Sequence, residues 1–112
     1  MAAQSDAKPV RLADGAELDD LLAEEPLVLL ELYTSGCSAC AAMEPVLGTV
    51  ARVTDATVAM VNPGDDISLV DRFDVRSVPT LVLFRDGEQV ATLAEGFVGV
   101  ERVVEFVEDH GV

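Results

Sequence analysis

The chain has 112 residues, half of them apolar, with 21 acidic and 7 basic residues and a formal net charge of −14 at pH 7. This length fits one domain, and the apolar fraction argues against disorder. Apolar runs such as Leu27 to Leu30 are too short to cross a bilayer, and so acidic a surface repels the phosphates of nucleic acids and anionic membranes.

The acidic residues are spread along the whole chain, which is typical of a solvated surface. The composition resembles that of proteins adapted to high salt, where screening removes self-repulsion; an acidic docking patch for a basic partner is the alternative. Residues 1–9 are polar and should form a flexible segment, which leaves residues 10–112 as a single domain. Because residues 1–9 lack the basic start and apolar stretch of a secretory signal, we expect a cytoplasmic protein.

The first predicted helix begins after Asp14. Asp14 is an acidic cap with Glu17 three positions later, and the helix should end before Pro26. Leu27 to Tyr33 is mostly apolar, which predicts a strand covered on both faces, as in a parallel sheet.

The second predicted helix follows from Cys37. Its expected inward-facing stripe consists of Met43, Val46, Leu47, Val50 and Val53. Pro45 lies inside this helix and should bend it.

The second half of the chain predicts three further strands and two helices. Ala56 to Val61 is a short apolar strand, and the spacing of Ile67, Val70 and Phe73 then indicates a short helix. Thr80 to Phe84 is the next strand.

The Asp86-Gly87 turn should connect this strand to Gln89 to Leu93 as a hairpin, and only this pair is expected to be antiparallel. After Gly96, an amphipathic helix is indicated by Val100, Val103, Val104 and Val107. The elements together predict an α/β fold with a central mixed sheet of about four to five strands flanked by helices.

The only two cysteines, Cys37 and Cys40, form a Cys-x-x-Cys pair between a strand and a helix. The helix N-terminus favours the thiolate form of the first cysteine. The second lies on the same helix face and can form a disulfide with the first, so the pair indicates reversible redox chemistry. A metal or cluster site is an alternative, although two thiolates could complete it only in a dimer.

The chain resembles the thioredoxin family over roughly residues 12–110. The matching features are the apolar strand before Cys37 and Cys40, Pro45 eight residues after the first cysteine, Val78-Pro79-Thr80 before a strand, and the Asp86-Gly87 hairpin with Gly96 beyond it. The resemblance implies the thioredoxin fold.

The resemblance also implies catalytic roles for three residues. Cys37 would be the exposed attacking thiol and Cys40 the buried resolving thiol. Glu31 stands where the family usually has a buried aspartate that moves protons to and from the resolving cysteine. Apolar neighbours should raise the pKa of Glu31 towards neutrality. A carboxylate turned towards solvent at the strand end is the alternative.

Pro79 matches the family's cis-proline, which faces the dithiol. The backbone of Val78 would then be free to pair with an extended segment of substrate. The alternative is an ordinary proline that opens an edge strand.

The surroundings of the cysteines depart from the family's pattern. Gly36 replaces an aromatic residue, Ser38-Ala39 replaces the usual Gly-Pro, and Met60 corresponds to a lysine near the buried acid. Tyr33 keeps an aromatic ring before the first cysteine. Apart from Met60, these residues are expected to bind substrate together with the proline segment.

The implied activity is that of a cytoplasmic protein-disulfide reductase. Its partners would be proteins that contain disulfides and a reductase or other dithiol donor, and we expect a monomer. No bound cofactor or metal is expected, since the chain has no glycine-rich nucleotide fingerprint. The rival interpretation is a thioredoxin-fold binding or chaperone module with incidental redox activity, which the replacements at Gly36 and Met60 favour.

Overall fold

The computed structural model describes residues 7–110 and contains five strands and four helices in that range. In chain order they are β1 (Val10–Leu12), α1 (Gly15–Glu24), β2 (Leu27–Leu32), α2 (Ser38–Val53), β3 (Thr57–Val61), α3 (Ser68–Arg72), β4 (Thr80–Arg85), β5 (Glu88–Leu93) and α4 (Val100–His110). The strands form one mixed sheet in the order β1-β3-β2-β4-β5, which confirms the predicted fold class. None of these helices is long and apolar enough to span a membrane.

The sheet contains one antiparallel pair more than expected. β2 pairs with β4 in antiparallel orientation, as β4 does with β5, so the prediction that only the last pair is antiparallel is wrong. Leu32 pairs both with Val61 at the end of β3 and with Thr80 at the start of β4. The connection from β3 to β4 contains only the short helix α3 and no helix that runs the length of the strands, as a crossover between parallel strands usually has. β4 therefore starts where β3 ends and runs the opposite way.

The N-terminal part of the domain begins with β1, which the sequence did not predict because three residues are too few to show a periodic pattern. β1 pairs in parallel with β3, at the sheet edge. Most of the predicted flexible segment, residues 1–6, lies outside the described residues, whereas residues 7–9 precede β1 without regular structure.

α1 has the N-terminal cap that the sequence predicts. The Glu17 backbone N–H donates to Oδ1 of Asp14 at 3.0 Å, and Glu17 Oε1 accepts from the backbone N–H of Ala13 at 2.8 Å. The helix ends at Glu24, before Pro26. These two bonds satisfy donors that a helix start otherwise leaves unpaired.

α2 continues through Pro45 and buries most of its predicted stripe. The exception is Val53, which is 59% exposed in the last turn of the helix, and Ala51 is buried instead. The helical period carries position 53 past the face that meets the sheet.

Ile67, whose spacing with Val70 and Phe73 indicated a short helix, is 80% exposed. It is the N-terminal cap residue of α3, whose buried residue is Leu69. The predicted short helix is therefore confirmed, and Ile67 precedes its first turn.

The predicted hairpin and final helix are confirmed. Asp86 and Gly87 both have positive φ, 54° and 83°, as a tight turn between antiparallel strands requires. α4 buries Val103, Phe106 and Val107.

The sheet separates two apolar cores, because successive residues of each strand point to opposite faces. On the face covered by α1 and α3, the strands contribute Val28, Leu30, Leu32, Ala59, Val61, Val82 and Phe84. On the face covered by α2 and α4, they contribute Leu29, Val58, Met60, Leu81, Leu83 and Leu93. We call these the α1 face and the α2 face.

Candidate active site

Cys37 and Cys40 form a disulfide at the start of α2, with their Cα atoms 5.2 Å apart. Cys37 is the cap residue rather than a member of the first turn, and its Sγ accepts from the backbone N–H of Cys40 at 3.1 Å. Cys40 is only 4% exposed, whereas Cys37 is partly exposed. The two sulfur atoms therefore differ in access to a partner, as the roles implied by the sequence require.

The segment before β4 lies directly beside the disulfide. The Val78-Pro79 peptide bond is cis, as the family resemblance implies. The carbonyl oxygen of Val78 lies 3.8 Å from Cys37 Sγ. This proximity follows from the pairing of Leu32 with Thr80, which places the residues after β2 and before β4 at the same end of the sheet.

Glu31 is fully buried and neither carboxylate oxygen has a hydrogen-bond partner. It alternates with Leu30 and Leu32 on β2 and so lies on the α2 face, between Met60 of β3 and Leu81 of β4. Burial, reinforced by the negative charge of Glu44 and opposed by Arg11, raises the pKa of Glu31 to about 7. The predicted burial and its effect on the pKa are confirmed.

A cleft of about 340 Å³ opens beside the two cysteines. Its lining includes Tyr33 and Gly36, which the sequence had indicated, and also Met60 and Glu44. Glu44 was not predicted as a site residue, although its position four residues after Cys40 places it on the same side of α2. That spacing was the available signal.

Ser38 and Ala39 occupy the first turn of α2, where Ser38 is exposed and Ala39 partly exposed. Gly36 has φ +79°, a conformation that residues with a side chain rarely adopt, although no atom lies within 4 Å of the position a Cβ would take. Position 36, where the family usually has an aromatic residue, therefore lies in an open turn that faces solvent.

A second, shallow and mostly apolar groove of about 360 Å³ lies on the other side of the Val78 segment. It is lined by Pro63, Ile67, Val70, Val75 and Val78, among others. The exposed Ile67 belongs to this groove. Its place at a helix start, directly after two aspartates, was the only sequence signal for exposure.

These features define a class of protein. A disulfide that caps a helix, a cis-proline segment next to its exposed sulfur and a buried carboxyl group on the strand before it form an arrangement typical of thiol-disulfide oxidoreductases. Within residues 7–110, no group of three or more His, Cys, Asp or Glu side chains is placed to hold a metal ion.

Comparisons with known proteins agree with this class. The family model described as thioredoxin matches residues 9–109. The thioredoxin of Mycobacterium tuberculosis (strain ATCC 25618 / H37Rv) is 34% identical over 83 residues, which cover 72% of each chain. The thioredoxin of Chlamydia caviae is 29% identical over 85 residues, 75% of this chain and 82% of the relative.

Among solved structures, a mutant thioredoxin from Halobacterium salinarum NRC-1 superposes with a TM-score of 0.87 at 35% identity, covering 94% of this chain and 92% of that one. Schistosoma mansoni thioredoxin, at 19% identity, shares the fold with a TM-score of 0.82 over 95% of this chain and 96% of that one. The chain belongs to the thioredoxin family. It is a thiol-disulfide oxidoreductase with the redox pair Cys37 and Cys40, and the family implies protein substrates with disulfides and a reductase partner.

Proposed function

We propose that Cys37 is the nucleophile that attacks protein disulfides. In the reduced protein, the Cys37 thiolate attacks one sulfur of the substrate disulfide, so that a Cys37–substrate disulfide forms and the other substrate sulfur leaves as a thiolate. The partial exposure of Cys37 and its place at the N-terminus of α2 support this role.

Cys40 is the resolving cysteine. Its thiol loses a proton to the carboxylate of Glu31, and the resulting thiolate attacks Cys37 sulfur, so the substrate leaves with its second sulfur reduced. The Cys37–Cys40 disulfide remains, and two electrons have passed to the substrate. A carboxyl group with a pKa of about 7 can accept and release a proton near neutral pH, which supports this role for Glu31.

The substrate segment binds in extended form beside Val78 and Pro79. The backbone of Val78 pairs with the segment, and Gly36, Ser38, Ala39 and Tyr33 border the cysteines on the other side. The apolar groove that contains Ile67 continues from Val78, so a neighbouring apolar side chain of the substrate packs there. We expect Ile67→Ser to raise KM about threefold and to leave kcat unchanged.

A partner reductase or another dithiol donor returns the pair to the reduced state, and the protein works as a monomer in the cytoplasm. A single chain supplies both thiols, Glu31 and the Val78 backbone, which supports a monomeric site. A reducing compartment keeps a redox-active pair available for further cycles, which supports the cytoplasm.

The observation that carries the proposal is the position of Cys37 Sγ, partly exposed and 3.8 Å from the Val78 carbonyl oxygen, with Cys40 buried behind it. The test is insulin reduction driven by dithiothreitol. The wild type should turn over, and Cys37→Ser should abolish the protein-dependent rate. Cys40→Ser, reduced beforehand and mixed with insulin after removal of dithiothreitol, should trap the Cys37–substrate disulfide, which mass spectrometry detects.

Thermal unfolding of each variant is the control for folding. Turnover by folded Cys37→Ser would contradict the assignment of the nucleophile. Absence of turnover in the folded wild type would contradict the reductase function and favour a binding or chaperone module instead.

A further inference from the structure

The buried Glu31 carboxyl group has charged neighbours at the surface that the proposed mechanism does not yet use. Arg11 of β1 pairs with Met60 of β3, and Met60 pairs with Glu31 of β2. The three residues therefore form one row across the sheet. Paired residues in a sheet point to the same face, so the Arg11 side chain extends over Met60 towards α2.

Arg11 meets Glu44 above that row. Its Nη2 donates to Glu44 Oε2 at 3.1 Å, and its guanidinium lies over the Tyr33 ring, 5.4 Å from the centroid. The side chains of Arg11 and Glu44 are 54% and 51% exposed, whereas Glu31 is fully buried. The ion pair therefore lies at the protein surface, above the row of residues that contains the buried carboxyl group of Glu31.

One member of this ion pair, Glu44, borders the redox centre. Glu44, Tyr33 and Met60 line the cleft that also contains Cys37 and Cys40. Glu44 lies one helical turn after Cys40 on α2. Among the elements packed around Glu31, β3 and β4 present the uncharged Met60 and Leu81, and α4 contributes apolar side chains to this core. Within the part of the chain that the structure describes, the charged groups that act on Glu31 are Arg11 and Glu44. The titratable groups Tyr33 and Cys40 line the cleft that Met60 also lines.

We propose that Arg11 and Glu44 are positioning residues for proton transfer, which together set the pH at which Glu31 takes the proton from Cys40. This proposal rests on the proposed role of Glu31 and extends it to two exposed residues. The negative Glu44 opposes a second negative charge at Glu31, and the positive Arg11 favours it. These directions agree with the effects of both residues on the pKa of Glu31.

The ion pair makes the two effects partly cancel. While Arg11 holds Glu44, a carboxylate of Glu31 experiences both charges at once. A substrate or partner that draws Arg11 away would leave the repulsion from Glu44 unbalanced, and Glu31 would hold its proton more strongly. The S–H bond of Cys40 breaks and an O–H bond of Glu31 forms in every case, so the pair changes only the equilibrium of that step.

The test is the titration of Glu31 in the full-length oxidised protein, followed by the infrared band of the protonated carboxyl group and identified by its loss in Glu31→Gln. Glu44→Gln should move the titration to lower pH and Arg11→Gln to higher pH, each by about 0.5 unit. The double variant should return close to the wild type, and Arg11→Lys should retain the wild-type value. Molar potassium chloride should reduce both shifts, because the two charges are exposed.

The matched control is the exposed ion pair of Arg102 in α4 with Glu95, which follows β5 at the sheet edge opposite β1. Arg102→Gln and Glu95→Gln should leave the Glu31 titration unchanged. The pH profile of insulin reduction should move in the same direction as the infrared titration in each variant. In a Glu31→Gln background, Glu44→Gln should no longer move that profile.

Shifts of the same sign in Arg11→Gln and Glu44→Gln, or shifts no larger than those of the control pair, would overturn the proposal. A purely structural role would lower activity in both variants without opposite shifts. The infrared titration needs no turnover. Failure of the reductase function would therefore appear as an inactive wild type, and failure of this inference as an active wild type with an unmoved Glu31 titration.

Discussion

The two faces of the sheet are built from the same strands but satisfy different demands. On β2, Leu30 and Leu32 point to the α1 face and Leu29 and Glu31 to the α2 face, and all four are fully buried. The core of the α1 face is apolar, and the buried Thr80 on that face donates its hydroxyl hydrogen to the carbonyl oxygen of Ser77 at 2.7 Å. The α2 face instead encloses a carboxyl group without a hydrogen-bond partner, next to the redox pair.

The difference shows that the α2 face contains a reactive group that lowers the stability of the fold. An unpaired carboxyl group in an apolar core costs free energy, either through desolvation of its charge or through a pKa that keeps it neutral. A leucine would fit the same kind of environment without this cost. The α1 face can therefore be treated as the stabilising side of the sheet and the α2 face as the side that carries the reaction.

The largest expected effect is the loss of stability on removal of a buried side chain from the core of the α1 face. Leu30→Ala should lower the free energy of unfolding by about 2–5 kcal/mol, because it removes a fully buried side chain and leaves a cavity. Turnover per folded molecule should be unchanged at temperatures well below melting. Denaturant unfolding and insulin reduction measure the two quantities, and a loss of turnover in proportion to stability would contradict the division between the faces.

The next effect concerns the pH dependence of stability at Glu31, which follows Leu30 on β2 and points to the other face. The pKa of Glu31 rises from 4.5 to about 7 in the folded state, so the folded protein retains a proton that the unfolded chain has lost between these values. Stability should therefore fall as pH rises from about 4.5 to about 7, by up to about 3 kcal/mol, and should then stay level. Glu31→Leu should lack this decline.

The measurement is the difference in free energy of unfolding between wild type and Glu31→Leu over that pH range. Taking the difference removes the contributions of the other carboxyl groups, which both proteins share. Glu31→Leu should also slow the resolving step. A difference that does not vary with pH would mean that Glu31 titrates as an ordinary exposed carboxyl group.

The two helix starts offer a smaller contrast. α1 is capped by the Asp14 side chain, whereas α2 is capped by the sulfur of Cys37. Asp14→Ala should lower stability by about 1 kcal/mol without a change in turnover. Thermal unfolding together with the insulin assay would test this. Reduced turnover in Asp14→Ala would show that the α1 side is coupled to the reaction.

The smallest expected effect lies outside both cores. Arg102 of α4 contacts Glu95 at 3.3 Å and Glu105 at 3.7 Å, and all three are substantially exposed. Arg102→Gln should lower the free energy of unfolding by about 0.2–1 kcal/mol in low salt and by less in molar potassium chloride. A loss that is independent of salt would point to packing by the arginine stem instead.

The same salt titration on the wild type tests the interpretation of the acidic surface. With a formal charge of −14, screening should relieve self-repulsion and raise the melting temperature. A melting temperature that does not respond to molar potassium chloride would contradict adaptation to high salt.

Most of the fold could be predicted because its signals are local. The Asp14 cap, the Asp86-Gly87 turn and the apolar period of α4 each specify their own element. The antiparallel pairing of β2 with β4 could not be read in this way, since it depends on where the chain emerges after α3. β1 was missed because its stability comes from pairing with β3 rather than from its own sequence.

The site shows the same division. The Cys-x-x-Cys pair and the position of Glu31 were visible because spacing along the chain is sufficient to find them. Glu44 and Arg11 come from α2 and β1, and only the packing of the helix over the strand brings them to within 3.1 Å. The exposure of Ile67 was not predicted, because an apolar residue next to a helical pattern is indistinguishable in sequence from one that completes it.

The cap of α2 has one further consequence. The sulfur that accepts the Cys40 N–H is also the atom that exchanges electrons with partners, so the first turn of this helix and the oxidation state of the protein are thermodynamically linked. A negative thiolate accepts that bond more strongly than a neutral sulfur does. Backbone amide hydrogen exchange at Cys40 should therefore be slower after reduction. The exchange rate at this one amide would then report whether the Cys37–Cys40 pair is oxidised or reduced.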